Sequence, residues 1–152
     1  TPGTLEIAGP KDTLATMAGK LSLDPIDFSQ ISPSHNSFDV NVTLPSTCKN
    51  LSNVPTARVT LDLAGLTTKT METSTFNVKN LSADKKAVVN TSGLTVTVVG
   101  PQAEVVGSVD LSGKENFTGQ TEVPTTFSVT GSTRCWVYGS YMITVDVTQK
   151  AS

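Results

Sequence analysis

Val96-Thr97-Val98-Val99-Gly100-Pro101 has the alternation of a β-strand and is halted by a Gly-Pro turn. A similar segment, Leu5-Glu6-Ile7-Ala8-Gly9-Pro10, occurs 91 residues earlier (96 − 5). Alternation with a period of two, bounded by glycine or proline, is typical of strands that bury one face. Two such segments in one chain predict a tandem repeat.

The two copies also end alike. Val59-Thr60-Leu61-Asp62-Leu63 returns as Ile143-Thr144-Val145-Asp146-Val147, with apolar and polar positions matched one for one. Residues 38–42 likewise correspond to residues 123–127. Length changes between the copies therefore fall between strands, where chains tolerate them.

The repeat predicts two tandem domains. The second copy is expected to be complete over residues 65–152. Residues 64–93 have no counterpart upstream of Thr1, so the first copy, residues 1–64, is expected to be N-terminally incomplete, its opening segment lost to the boundary of the fragment. A repeated module mainly supplies binding surface and length, whereas an active site needs side chains that converge on one pocket.

The composition favours strands over helices. Hydrophobic residues make up 37% and aromatic residues 5% of the chain, and threonine, serine, valine and glycine are abundant. We predict an all-β, mainly antiparallel fold with at most a short helical turn, at residues 11–17. The predicted strands cover residues 4–8, 38–44, 57–63, 73–78, 94–99, 122–129 and 140–148.

Charge and cysteine content exclude some classes of function. The net charge is −2 and the 11 basic residues are scattered, so we expect no nucleic-acid partner. No run approaches the roughly 18 apolar residues that cross a bilayer, and the chain itself is expected to be soluble. Cys48 and Cys135 each precede a closing strand, and free buried thiols are favoured over a bridge between them, which requires Cα atoms within about 7 Å.

The reactive side chains form no catalytic or metal-binding pattern. His35 lies in a run of turn-forming residues and is expected to be exposed. One histidine and two distant cysteines make a poor zinc site, and residues 24–27 lack the spacing of a calcium loop. We therefore expect no enzyme activity, no metal and no cofactor. An enzymatic alternative would need a pair of carboxylates to converge where the two copies join, the candidates being Asp24, Asp27, Asp62 and Asp146.

Trp136, Tyr138 and Tyr141 form the one aromatic cluster and are the candidate interaction residues. Such residues often anchor protein interfaces. Such residues are also common in the core of a small β-module, and we favour the interpretation that they are core residues.

The order of these segments resembles the YbbR repeat. The resemblance rests on a strand ending in Gly-Pro, the element Asp110-Leu111-Ser112-Gly113, a strand opened by Val123-Pro124, and a closing strand. The first copy departs from the pattern, since Asp27-Phe28-Ser29-Gln30 lacks the glycine. The resemblance implies small crossed antiparallel sheets on the extracytoplasmic side of a bacterial membrane, behind a single N-terminal membrane helix. The best-understood members of the family regulate a membrane diadenylate cyclase, which makes cyclic di-AMP, and the resemblance is to their repeat region only. The family has no catalytic residues to carry over.

We therefore expect a non-catalytic, extracytoplasmic scaffold or interaction arm. It would associate with the cell membrane through an anchor outside this sequence and bind a protein of the cell envelope, a membrane diadenylate cyclase being the partner that the resemblance implies. Exposed strand edges are natural docking sites in such a module. The alternative is a secreted adhesin or carbohydrate-binding β-sandwich, for which exposed rings at Trp136 and Tyr138 would be a platform.

Overall fold

Strands dominate the computed structural model, which describes residues 1–101, 104–130 and 133–151. They account for 45% of the chain and helices for 7%, so the predicted all-β class is confirmed. The strands are β1 (Ile7–Ala8), β2 (Ser37–Asn41), β3 (Lys49–Asn50), β4 (Thr56–Thr60), β5 (Thr68–Thr73), β6 (Phe76–Lys79), β7 (Lys85–Val89), β8 (Leu94–Val99), β9 (Val105–Asp110), β10 (Gly119–Val129), β11 (Trp136–Tyr138) and β12 (Tyr141–Gln149).

The chain divides into two compact units. Unit 1 comprises Thr1–Asp27 and Ser34–Leu63, and unit 2 comprises Phe28–Pro33 and Ala64–Ser152. Residues 102–103, 131–132 and 152, which the predicted second copy includes, lie outside the described residues.

Unit 2 contains two sheets. The larger has the strand order β6-β9-β10-β12-β7, and the smaller has the order β11-β8-β5. All neighbouring strands are antiparallel except β6 and β9. The strand predicted at residues 94–99 is β8 itself, and it is the central strand of its sheet.

The core of unit 2 is built from the alternating valines. One buried cluster contains Val109, Leu111, Val123, Ile143, Val145 and Val147, and the other contains Val96, Val98, Val105 and Val137. Fully burying a side chain of this size contributes roughly 1.5–3 kcal/mol relative to exposing it. These clusters are therefore the main source of stability in unit 2.

Unit 1 has a thinner core. It holds two two-stranded sheets, β1-β3 and β2-β4, and the helix α1 (Lys11–Met17), which confirms the helical turn predicted there. The helix follows Pro10 and ends where Ala18 adopts a left-handed conformation (φ 49°). Among the described residues, the buried hydrophobic side chains of unit 1 are Val40 and Ala57, each 7% exposed. A module with so few buried side chains has little stability of its own.

The strand predicted at residues 73–78 was wrong as a single element. Strand β5 ends at Thr73 and β6 begins at Phe76, and the two strands belong to different sheets. The buried Thr73 hydroxyl donates a hydrogen bond to the Val105 carbonyl oxygen (2.7 Å), which fixes the chain where it changes sheets.

Candidate functional site

The indole ring of Trp136 forms an aromatic patch with Phe28. The two ring centroids are 5.3 Å apart and the planes meet at 68°, an edge-to-face arrangement. Trp136 is half-buried, whereas Phe28 is 61% exposed. We call these two residues the aromatic patch of unit 2.

Backbone and indole hydrogen bonds hold the aromatic patch in place. Phe28 belongs to a 3₁₀ helix, Phe28–Gln30, which leads into Ile31, a residue only 3% exposed. The Trp136 Nε1–H donates to the Ile31 carbonyl oxygen (2.8 Å), and the Gly139 N–H donates to the Ser29 carbonyl oxygen (2.7 Å). An exposed ring on a fixed backbone loses little conformational entropy when a partner covers it.

Tyr141 has a structural role in unit 2. Its hydroxyl accepts a hydrogen bond from the Thr97 N–H (3.0 Å) and donates one to the Tyr138 carbonyl oxygen (3.0 Å). Its ring packs edge-to-face on Phe127, with centroids 5.4 Å apart. Tyr138 is half-buried, so of the three predicted interaction residues Trp136 alone joins the aromatic patch.

Unit 1 contains an apolar pocket of about 640 Å³, within the range typical of ligand sites. Most of its lining side chains are half-buried, and Lys20 is the only charged residue among them. We call it the unit 1 pocket, and it is lined by Pro2, Gly3, Thr4, Leu5, Ile7, Leu14, Met17, Gly19, Lys20, Leu21, Leu23 and Ala57.

The candidate catalytic residues lie apart from both features. His35 is exposed and stacks on Phe38, with ring centroids 5.1 Å apart. Asp24, Asp27 and Asp62 are exposed residues of unit 1. Within the described part of the chain, no group of three or more His, Cys, Asp or Glu side chains is placed to hold a metal ion.

Asp146 belongs to unit 2 and is half-buried on β12 between the buried Val145 and Val147. Successive side chains of a strand point to opposite faces, so Asp146 lies on the face opposite the core, as the alternation predicts.

Both cysteines are free thiols, and each lies against the glycine of a Gly-Pro turn. A Cβ added to Gly9 would lie 2.5 Å from the Cys48 Sγ, and one added to Gly100 would lie 3.1 Å from the Cys135 Sγ. The close approach of a cysteine favours glycine at both positions, and Gly100 also has a positive φ of +107°, which residues with a Cβ rarely adopt.

Hydrogen bonds hold the carboxyl group of Asp110 in its ionised form. Its carboxylate accepts hydrogen bonds from the Ser112 hydroxyl (2.6 Å), the Asn80 amide (2.7 Å) and the Ser112 N–H (2.9 Å). These bonds lower the pKa of Asp110 to about 2 because they favour the ionised form. The stability that these hydrogen bonds give the folded protein is fully present at pH values above 3.8, the pKa of this carboxyl group in the unfolded chain. It is lost as the pH falls through about 2. Asp110 thus stabilises the turn that follows β9.

Comparison with known proteins gives no relative. The chain matches no protein-family model, and searches of curated proteins and of solved structures find no similar protein. Among the described residues, no helix is long and apolar enough to cross a membrane.

Proposed function

We propose that this chain is a non-catalytic interaction module that binds a protein partner through the aromatic patch of unit 2. The observation that carries the proposal is the 61% exposure of Phe28 on a backbone held by the buried Ile31. Large apolar rings are costly to leave in water, and tryptophan is enriched among the residues that dominate binding energy at interfaces.

Strand edges offer a second mode of contact in the same module. Strands β6 and β7 form the two edges of the larger sheet of unit 2. Lys85 and Lys86 open β7, and charged residues on an edge strand discourage uncontrolled pairing. Such an edge favours a specific docking partner over aggregation.

A tandem repeat underlies the proposed module, and the pairing of the closing strands supports it. In unit 1, Phe38 of β2 pairs with Val59 of β4. In unit 2, Val123 of β10 pairs with Ile143 of β12. These are the residues that the sequence match equates, with offsets of 85 (123 − 38) and 84 (143 − 59). A shift of one residue in register would move every side chain of a strand to the opposite face. The matched pairing of these residues in the two units therefore supports a common topology.

The pairing of the Gly-Pro strands supports the repeat independently. Ile7 pairs with Asn50 in unit 1, and Val98 pairs with Val137 in unit 2. The offsets are 91 (98 − 7) and 87 (137 − 50). The first is the offset between the Gly-Pro strands, and the second is the offset between the two cysteines (135 − 48). Strands β1 and β3 therefore correspond to β8 and β11.

The sharper form of the proposal is a YbbR-like regulator. In this form the chain lies on the extracytoplasmic side of a membrane, tethered by an anchor outside this sequence, and passes the state of an envelope partner to a membrane diadenylate cyclase. Its support is the order of the motifs, from the Gly-Pro strand through Asp110-Leu111-Ser112-Gly113 to the closing strand. The mechanism would be steric, with the module holding its binding surface at a fixed position.

Photo-crosslinking tests the proposed partner surface. A benzophenone amino acid at position 28, introduced in the native cells, is expected to give one discrete adduct with a protein of the cell envelope. The same probe at Phe117, which is 38% exposed in the turn before β10 and lies on neither sheet edge, is the matched control and should not give that adduct. Identical adducts from both positions, or none from position 28, would contradict the proposal.

The alternative is an adhesin or carbohydrate-binding module, which the exposed ring of Phe28 also favours, because sugars stack on aromatic faces. Trp136 is the only tryptophan, so its fluorescence reports on the patch. A saturable change in that fluorescence on titration with an oligosaccharide, together with no adduct at position 28, would favour this alternative.

A further inference from the structure

We infer that unit 2 has a peptide-binding site on β11, which the segment Phe28–Pro33 of the same chain fills, and that two copies of the chain dimerise by exchanging this segment. We call Phe28–Pro33 the docked segment. The inference goes beyond the proposed function, because it concerns the contacts beneath Phe28, whereas the proposed partner covers the exposed ring.

The docked segment is a separate piece of chain within unit 2. The rest of unit 2 begins at Ala64, and Ser34–Leu63 of unit 1 lies between the two pieces in the sequence. Non-covalent contacts therefore hold the docked segment in unit 2, as they hold a bound peptide. It packs on β11, which is an edge strand of the smaller sheet. Edge strands are common docking places for peptides.

Strand β11 presents its tryptophan on the face away from the core. Val137 is 8% exposed and belongs to a core cluster with Val96 and Val98. Successive side chains of a strand point to opposite faces, so Trp136 and Tyr138 point away from that cluster. The indole ring is therefore placed to hold a peptide without taking part in the packing of the valines.

Three contacts join the docked segment to this part of unit 2. The indole N–H donates to the Ile31 carbonyl oxygen (2.8 Å), and the N–H of Gly139, directly after β11, donates to the Ser29 carbonyl oxygen (2.7 Å). The ring of Phe28 lies edge-to-face on the same indole. Within the segment, Ile31 is 3% exposed and Ser32 is 2% exposed. An aromatic anchor, a buried aliphatic anchor and backbone hydrogen bonds are the features by which proteins recognise peptides.

A second copy of this chain is the occupant that keeps every docking contact. A foreign peptide would displace the docked segment and leave the side chain of Ile31 in water, which costs free energy. Reciprocal exchange instead places the docked segment of each copy on β11 of the other, so both sites stay filled. Docking within one chain competes at an effective concentration on the order of millimolar, so the exchanged dimer becomes populated near that concentration.

Two variants of the full chain test the exchange by complementation. Ile31→Asp disables the docked segment and leaves β11 intact, whereas Trp136→Ala disables the site on β11 and leaves the docked segment intact. We expect an equimolar mixture at micromolar concentration to form a heterodimer in sedimentation velocity, because the intact segment docks on the intact site without a competitor in its own chain. The matched control is Ile31→Asp mixed with the wild-type chain, which should give at least about tenfold less dimer. No dimer in the first mixture, or as much dimer in the control, would overturn the inference.

The wild-type chain provides a test that does not depend on either variant folding normally. We expect its dimer fraction in sedimentation equilibrium to rise as the concentration approaches about 1 mM. In a dimer cross-linked through a benzophenone at position 28, mass spectrometry should place the link on β11 of the other copy. A chain that stays monomeric at that concentration, or a dimer linked elsewhere, would overturn the inference. Loss of the envelope adduct at position 28 with an intact exchanged dimer would count against the proposed function alone.

Discussion

Replacing Ile143 with alanine is expected to lower the free energy of unfolding of unit 2 by about 2–5 kcal/mol. The side chain is 1% exposed and lies on β12, between β10 and β7 in the larger sheet. Its removal loses the transfer free energy of three carbons and leaves a cavity among Val109, Leu111 and Val123, which relax only partly. Urea unfolding followed by far-UV circular dichroism, which reports on the strands of both units, measures the change.

The control is Val59→Ala, at the position of unit 1 that the proposed repeat equates with Ile143. Val59 is half-buried, so its loss is expected to cost less than about 1.5 kcal/mol. Val59→Ala removes two carbons, whereas Ile143→Ala removes three. The expected difference in free energy of unfolding between the two variants is larger than this one methylene group accounts for. Equal destabilisation by the two substitutions would contradict the description of unit 2 as the better packed unit.

Gly100→Ala is expected to be at least as damaging, at about 3 kcal/mol or more. Gly100 has φ +107°, which residues with a Cβ rarely adopt, and the added Cβ would overlap the Arg134 carbonyl oxygen. A backbone atom cannot move aside as a flexible side chain can, so the substitution is expected to separate β8 from β11. Thermal unfolding of the variant measures the loss.

Gly113→Ala separates the two causes of that loss. Gly113 also has a positive φ, +78°, but an added Cβ would have no atom within 4 Å. It should therefore cost about 1 kcal/mol, from backbone strain alone. If Gly100→Ala costs no more than Gly113→Ala, close packing at the Gly-Pro turn is not what requires the glycine.

Alternation predicted the strands that bury a regular face, and it failed where tertiary contacts decide. Strand β8 has the predicted bounds because its apolar residues alternate from Leu94 through Val98, and Gly100-Pro101 follows its last residue. Strand β9 was missed because Gly107 interrupts its pattern, and that glycine is explained by the ring of Phe76, which an added Cβ would overlap. Strand β11 consists of Trp136-Val137-Tyr138, three large apolar residues without alternation. Strand β7 begins with two lysines, which suit a sheet edge but resemble a turn in sequence.

The sequence identified Trp136 but not its neighbour Phe28. The proposed repeat equates Phe28 with Leu111, whose side chain is only 1% exposed in the core. Phe28 is instead exposed, because the segment Phe28–Pro33 belongs to unit 2 and is anchored there by Ile31. The departure of the first copy from the Asp-Leu-Ser-Gly pattern was the one signal of this difference. The unit 1 pocket had no sequence signal, since its lining combines residues between Pro2 and Leu23 with Ala57, which is distant in sequence.

The central proposal is that one β-module occurs twice, with a larger buried core in unit 2 than in unit 1. Native-state hydrogen exchange tests it most directly, because exchange reports the free energy of local opening for each amide. We predict opening free energies for β8 and β12 at least about 2 kcal/mol above those for β1 and β4. Equal protection of the two units would contradict the proposal.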